Sequence, residues 1–461
     1  MFTSLLKKII SPESTIVDTF FENSDNCARS RRNVLFTNVL SSVITPLSSG
    51  IYFTSLMLAM GASESYIGYV TAILSFSGLF QVVSPLILEK LPRRKGFLIT
   101  ARILYYFLSI VVIGVTPLLP VGQTFKLVLF FLTVILMNAF LQIASPGLSS
   151  WHIQSLPETK RGGFYAATHM FITVLSNISS FLAGLFLDKV EASEFSMGGF
   201  SPTITAILIL RAIALLLALT ECYSNTKIKE FPYETKENEK DNKGLNLLSL
   251  PLRDRTFMLT ILPIIIWSFS GALIGQYFNI YLIEDIKMSY TLIASAGLIS
   301  VPVVLLITPV WYRFIRKIHW PKILAFSYFT YSIAYICNGF ITETTKYVYF
   351  ICIILGAIFI PGVSNIHSNL VNLNMPEANR SAYFSFYSTV ILLATFLGNY
   401  LGIQFIELTK NIHFNVFGFD IGNKQYVSWL AAMLVWGLTI FTLTYLRKKE
   451  NRVTVFKTEK K

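Results

Sequence analysis

The side chains in this sequence that could do chemistry are amides, hydroxyls and a few aromatics, and they recur at helical spacing. Asn38, Ser42, Thr45, Ser49 and Tyr52 follow one another at steps of four, three, four and three. Residues so spaced share one face of a helix. Asn138, Gln142, Ser145 and Ser149 keep that rhythm, and so do His169, Thr173, Ser176 and Ser180, with Asn177 beside them. Later come Trp267, Ser270, Gln276 and Tyr277, then Ser388, Thr395 and Asn399. A row of such groups binds and releases a small polar solute through hydrogen bonds; it has no means of breaking covalent ones. Two readings are open for each hydroxyl, because serine and threonine stripes also pack helices closely and bond across their interfaces. The amides Asn138, Gln142, Asn177, Gln276 and Asn399 fit packing less well. Trp267 and Tyr52 either stack on a flat or sugar-like ligand or fill the core. His169 is either a proton site or a wetted helix end.

Covalent chemistry has no foothold. The sequence holds no His-Glu-x-x-His, no Gly-x-Ser-x-Gly, no Asp-rich phosphotransferase motif and no Walker A loop. An enzyme is therefore not expected, nor a cofactor, and Cys27, Cys222, Cys337 and Cys352 lack metal-ligand spacing. No Asp or Glu falls inside the long apolar stretches: Asp188, Glu221, Glu284, Asp285 and Glu407 stand at their ends. That disfavours a carboxylate-driven symporter and the recognition of organic cations. A neutral polar or anionic solute fits better, with uniport or coupling through His169 left open. Two cations lie well within stretches, away from their ends. Arg211 is either a counter-charge for an anionic solute or a structural group, and Arg102 reads as structural.

The elements that must position these groups are written in the composition. Of 461 residues, 53% are hydrophobic and 14% charged, with a mean hydropathy of +0.59. The apolar residues gather in twelve runs: 34–60, 66–88, 97–119, 125–148, 164–187, 200–220, 257–283, 290–312, 322–341, 346–366, 382–406 and 426–446. Each is long enough to cross about 30 Å of hydrocarbon as a helix, which satisfies its own backbone. The alternating ten-residue segments of a membrane barrel are missing. The expected fold is all-α, about twelve transmembrane helices.

The net charge of +13 is a topology signal here, and no nucleic-acid partner is expected. With both termini cytoplasmic, the outside ends carry six cations in all, Lys126, Lys189, Lys287, Lys346, Lys410 and Lys424. Nearly all the other Lys and Arg fall inside, as the positive-inside rule requires. The organisation expected is a cytoplasmic segment 1–33, a bundle 34–220, a cytoplasmic loop 221–256, a second bundle 257–446 and a basic tail 447–461. Residues 1–20 read either as a surface amphipathic helix or as a solvated tail.

The halves repeat each other. Pro157-Glu158-Thr159-Lys160-Arg161-Gly162 reappears as Pro376-Glu377-Ala378-Asn379-Arg380-Ser381, at an offset of 219. Gly50-Ile51-Tyr52-Phe53 matches Gly275-Gln276-Tyr277-Phe278 at 225, and Ser84-Pro85 with its basic loop parallels Thr308-Pro309. A six-plus-six chain with a long central loop and a short basic loop after its second helix resembles the major facilitator superfamily. That family's Gly-x-x-x-Asp-Arg-x-Gly-Arg-Arg is echoed in Pro85-Leu86-Ile87-Leu88-Glu89-Lys90-Leu91-Pro92-Arg93-Arg94, with proline replacing both glycines. The resemblance implies two six-helix bundles around a cavity that opens alternately to each side of the cell membrane. It also implies that the first, fourth, fifth, seventh and eleventh helices line that cavity. Glu89, Lys90, Arg93 and Arg94, with Glu158, Arg161, Glu377 and Arg380, would form cytoplasmic latches, or in the case of Arg93 and Arg94 simply enforce topology. The implied activity is secondary-active or facilitative transport by a monomer in the bilayer. A twelve-helix flippase or exporter of lipid-linked or amphiphilic substrates and a non-transporting sensor on the same fold are the alternatives.

Overall fold

The computed structural model describes residues 27–88, 91, 93–156, 161–230, 246–275, 277–317, 319–375, 380–412, 414–416 and 419–446. Among these, twelve helical runs follow one another. The first six are α1 (Ala28–Ala59), α2 (Glu64–Ser77, a 3-10 turn Gly78–Val82, then Val83–Leu88), α3 (Lys95–Leu118), α4 (Gln123–Gln154), α5 (Arg161–Ala192) and α6 (Pro202–Thr226). The next six are α7 (Arg255–Asp285), α8 (Tyr290–Lys317), α9 (Trp320–Asn338), α10 (Val348–Asn374), α11 (Arg380–Leu408) and α12 (Asn423–Leu446). By length and composition ten of them can cross a membrane. The remaining two are α2, divided by its 3-10 turn, and α9, diluted by Lys322, Tyr328, Tyr331, Tyr335 and Asn338.

Two elements lie outside that helical series. A short helix, Asn246–Arg253, precedes α7. An antiparallel hairpin, β1 (Phe414–Val416) with β2 (Phe419–Ile421), joins α11 to α12 and sets Phe414 opposite Ile421. The expected central loop begins late, because Glu221–Thr226 still belong to α6. Its charged core, 236–243, lies outside the described residues, as do 1–26 and 447–461.

Helix pairing repeats as the sequence does. In the first half α1 packs on α5 and α6, α3 on α4 and α6, and α2 on α4. In the second, α7 packs on α11 and α12, α9 on α10 and α12, and α8 on α10. The leading helix of each half also breaks at the matching glycine. Gly50 holds φ +63°, ψ −132° and Gly275 φ +44°, ψ −140°, a region that side-chain-bearing residues avoid. Pro46 and Pro263, ahead of the breaks, each remove an amide from the ladder.

The chain forms two compact units, Met1–Gly61 with Phe80–Thr235 and Ala62–Leu79 with Lys236–Lys461. The division of α2 falls in its 3-10 turn. In the first unit Val34, Leu88, Leu98, Ala101, Ala144, Trp151, Leu156 and Ile228 make one core cluster. In the second, Phe257, Ile261, Ile264, Val371, Met375 and Tyr383 make another.

Candidate solute-binding faces

In the first unit the polar stripe of α1 divides by depth. Thr45 and Ser49 are exposed, Asn38 is half-buried, and Ser42 and Tyr52 are buried. Phe36 is also exposed, about half a turn away from Thr45 around the helix. The Tyr52 hydroxyl donates to the Ser180 carbonyl at 2.5 Å and so ties α1 to α5. Its ring belongs to the core. On α4, Ser149 is exposed, Gln142 and Ser145 are half-buried, and Asn138 is buried with its amide donating to the Val134 carbonyl of the same helix at 2.9 Å. On α5, His169 is exposed and Thr173, Ser176 and Asn177 are half-buried.

Three hydroxyl donors of this face are spent within their own helices. Thr45 donates to Ser41, Ser49 to Thr45 and Thr173 to His169, at 2.7 to 2.8 Å. Such back-bonding leaves the oxygen lone pairs as acceptors.

Beneath the face lie charges whose placement differs from the sequence expectation. Glu221 follows the last apolar residue of its run, but α6 continues to Thr226. The carboxylate is therefore buried inside the helix, 3.4 Å from the Arg102 guanidinium. Arg102 also donates to Ser41 at 2.5 Å and Tyr106 at 2.7 Å, joining α1, α3 and α6. A carboxylate thus does lie within the first unit, paired rather than free. Arg211 is buried too, and donates to the carbonyls of Ser109 in α3 and Ser48 in α1.

At one end of this unit the residues after α6 form a strap. Lys95 donates from Nζ to the carbonyls of Thr226 (2.8 Å) and Ile228 (2.7 Å), Trp151 donates to that of Lys229 (2.8 Å), and Ser30 accepts from the Lys229 amide (3.0 Å). Cations suit a helix C-terminus, where carbonyls lack partners. A shallow recess beside the strap is lined by Arg94, Lys95, Gly147, Ser150, Trp151, Gln154 and Glu230. Arg94 donates to the Leu88 carbonyl at 2.8 Å, and Arg93 is exposed. Of the other expected latch residues, Glu89, Lys90, Glu158 and Glu377 lie outside the described residues. For Arg161 and Arg380 only the backbone, at the starts of α5 and α11, is described.

The second unit holds an aromatic cluster. Half-buried Trp267 stacks on Tyr328 (centroids 5.1 Å apart, 27° between planes), touches Tyr331, and meets His367 edge-on. The Tyr328 hydroxyl and His367 Nε2 share a 2.5 Å hydrogen bond. Because α10 extends past 366, His367 lies well inside a helix and is buried, whereas His169 is exposed. Ser364 and Ser368, on the same helix, are exposed. They stand 219 residues after Ser145 and Ser149, so the internal repeat points to them.

Ser270 is buried and bonds the Ile266 carbonyl at 2.8 Å, and Ser388 and Thr395 are half-buried. Asn399 is buried, its amide donating to Ser75 of α2 at 3.1 Å. Its Oδ1 would stand 2.6 Å from a Cβ on Gly275, so it covers the α7 break. Tyr277 is buried beside Gly68, and Gln276 lies outside the described residues. Lys424, buried at the start of α12, bridges Glu64 and Asp285 at 2.6 Å each. Among the described residues no group of His, Cys, Asp and Glu could hold a metal ion.

Two matched helical units, broken at equivalent glycines and presenting polar faces from membrane-length helices, define a multi-pass membrane protein built by internal duplication. The family model of the Major Facilitator Superfamily matches residues 34–399. The chain belongs to that superfamily. A comparison with curated proteins finds no match. Among solved structures it is similar in fold to a D-xylose–proton symporter, with TM-score 0.67, 13% identity, and coverage of 90% of this chain and 97% of that one. A bacterial homologue of the iron transporter ferroportin, in an inward-facing state, gives 0.66, 14%, 91% and 100%. A point mutant of the nucleoside transporter NupG gives 0.63, 14%, 89% and 99%.

Proposed function

We propose that this protein is a secondary-active or facilitative transporter that moves a small polar solute across the cell membrane by alternating access, with both termini cytoplasmic. The observation that carries the reading is the exposure of Thr45, Ser49, Ser149, His169, Ser364 and Ser368 on helices of membrane length. The same helices expose Leu132, Leu136, Phe171 and Ile351 elsewhere along their length. Hydrocarbon suits the second set, while water or a polar ligand suits the first. The broken α1 and α7 add backbone groups of the kind that line carrier sites. Asn38, Gln142, Ser145, Thr173, Ser176 and Asn177 belong to the polar face of the first unit, and Trp267, Ser388 and Thr395 to the candidate face of the second. The fold likenesses to xylose, nucleoside and metal transporters are consistent with this class and select no substrate.

Reconstitution in liposomes tests it. Labelled sugars, amino acids and peptides are offered with and without a pH gradient. Saturable uptake of one class is expected, falling at least about tenfold in Gln142→Ala and Ser364→Leu at equal reconstitution. Failure of every class in both gradient conditions and both directions overturns the reading.

A further inference from the structure

The first unit buries a cation that is held by backbone carbonyls. Arg211 is 2% exposed, and its guanidinium donates to Ser109 and, at 3.2 Å, to Ser48. Arg102, one layer away, is answered by Glu221. The two acceptors of Arg211 share a property. Ser48 ends the first segment of α1, immediately before the Ser49–Gly50 break, and Ser109 lies within a π turn, Phe107–Val112, in α3. Both are places where the regular i to i+4 ladder is interrupted, and a carbonyl there is open to an outside donor such as Arg211. A planar guanidinium serves the two carbonyls from separate nitrogens, Nη1 on Ser109 and Nη2 on Ser48, in a fixed fork. Gly114 leaves the room: a Cβ there would come within 3.3 Å of Arg211 Cδ.

We infer that Arg211 is a positioning residue. It caps the α1 break and the α3 π turn together, and so holds open the notch at which Thr45, Ser49 and Gly50 reach the unit's surface. The inference rests on reading the α1 face as part of the solute path. It answers the choice between a counter-charge and a structural group with a third role. The guanidinium touches no solute; it shapes the backbone that does. Its place in the middle of an apolar helix follows from the two carbonyls it must reach.

The test separates local shape from overall stability. Amide hydrogen exchange is followed in the full-length protein at residues 45–56, around the notch, and at 151–156, in the core of the same unit. Arg211→Met should speed exchange at the notch by more than about tenfold and leave the core stretch within about twofold. Arg211→Lys, which keeps the charge but loses the spread of the guanidinium fork, should recover part of the loss. Gly114→Ala, which presses on the same side chain from α3, should reproduce the effect weakly, and it decides the matter if Arg211→Met does not fold. Equal acceleration at both stretches, or none at the notch in either variant, overturns the positioning role. In liposomes, variants with a disturbed notch should raise the KM for whichever solute the wild type carries. Wild-type protein that carries no solute refutes the transport reading and leaves the exchange result standing.

Discussion

Removing the Glu221 charge should loosen the end of α6 by an amount that can be worked from the contacts. Glu221 is 3% exposed and lies 3.4 Å from Arg102, whose side chain is 16% exposed. Breaking a buried pair by deleting one partner costs about 3–5 kcal/mol, because the other charge stays buried. Arg102 retains Ser41, Tyr106 and a cation–π contact at 4.6 Å from the Tyr106 ring centre, which places Glu221→Gln near the low end, about 3 kcal/mol. Cys222 is the reporter. Its thiol is buried, adjoins Glu221 and donates to it at 3.7 Å, so alkylation requires local opening. A loss of about 3 kcal/mol speeds that opening-limited reaction roughly a hundredfold. The assay is N-ethylmaleimide labelling of full-length protein in mild detergent, read by peptide mass spectrometry and normalised to the rate in denaturant. Arg102→Met with Glu221→Leu, which removes both charges, should return within about tenfold of wild type. A single variant within about threefold of wild type, or a double variant faster than the single, would refute the buried-pair reasoning.

Gly275→Ala should lower the melting temperature more than Gly50→Ala: both force a strained φ, but only the first drives a Cβ to 2.6 Å from Asn399, while Gly50 has open space. Gly398→Ala should destabilise α7–α11 packing, since its Cβ would stand 2.6 Å from the Phe269 carbonyl, whereas Gly437→Ala meets nothing within 4 Å and should be neutral in the same melting assay. Lys424→Met leaves Glu64 and Asp285 without their shared cation; thermal stability should fall by about 1 kcal/mol, with the deficit shrinking in 1 M salt as the two carboxylates are screened.

The helices were legible because lipid forces length and hydropathy onto each one, and the repeat was legible because matching positions share a backbone requirement. Gly50 and Gly275 are the clearest case, each holding the same unusual dihedrals at an offset of 225. The ends of helices were not legible. Polar residues such as Glu221 and His367 resemble a terminus when their partners are unknown, and those partners, Arg102 and Tyr328, lie 119 and 39 residues away. The polar stripes show the same limit. Spacing puts Ser42 and Thr45 on one face, yet the structure buries the first and exposes the second, because burial depends on which neighbouring helix arrives and at what tilt. Lys424 counts in the sequence only as one of six outside cations; its two carboxylates arrive from α2 and α7.

Substituted-cysteine labelling in native membranes tests the wet-face claim most directly. In a background with Cys27, Cys222, Cys337 and Cys352 changed to serine, single variants Ser49→Cys, Ser149→Cys, Ser364→Cys and Ser368→Cys are treated with a charged, impermeant thiosulfonate applied to both sides. Leu136→Cys, Leu216→Cys and Phe326→Cys serve as the apolar set, all exposed in the fold. The polar set should react and the apolar set should not, since a charged reagent reaches thiolates only where water does. Labelling confined to the leucine and phenylalanine positions, with the serine positions silent, would contradict it.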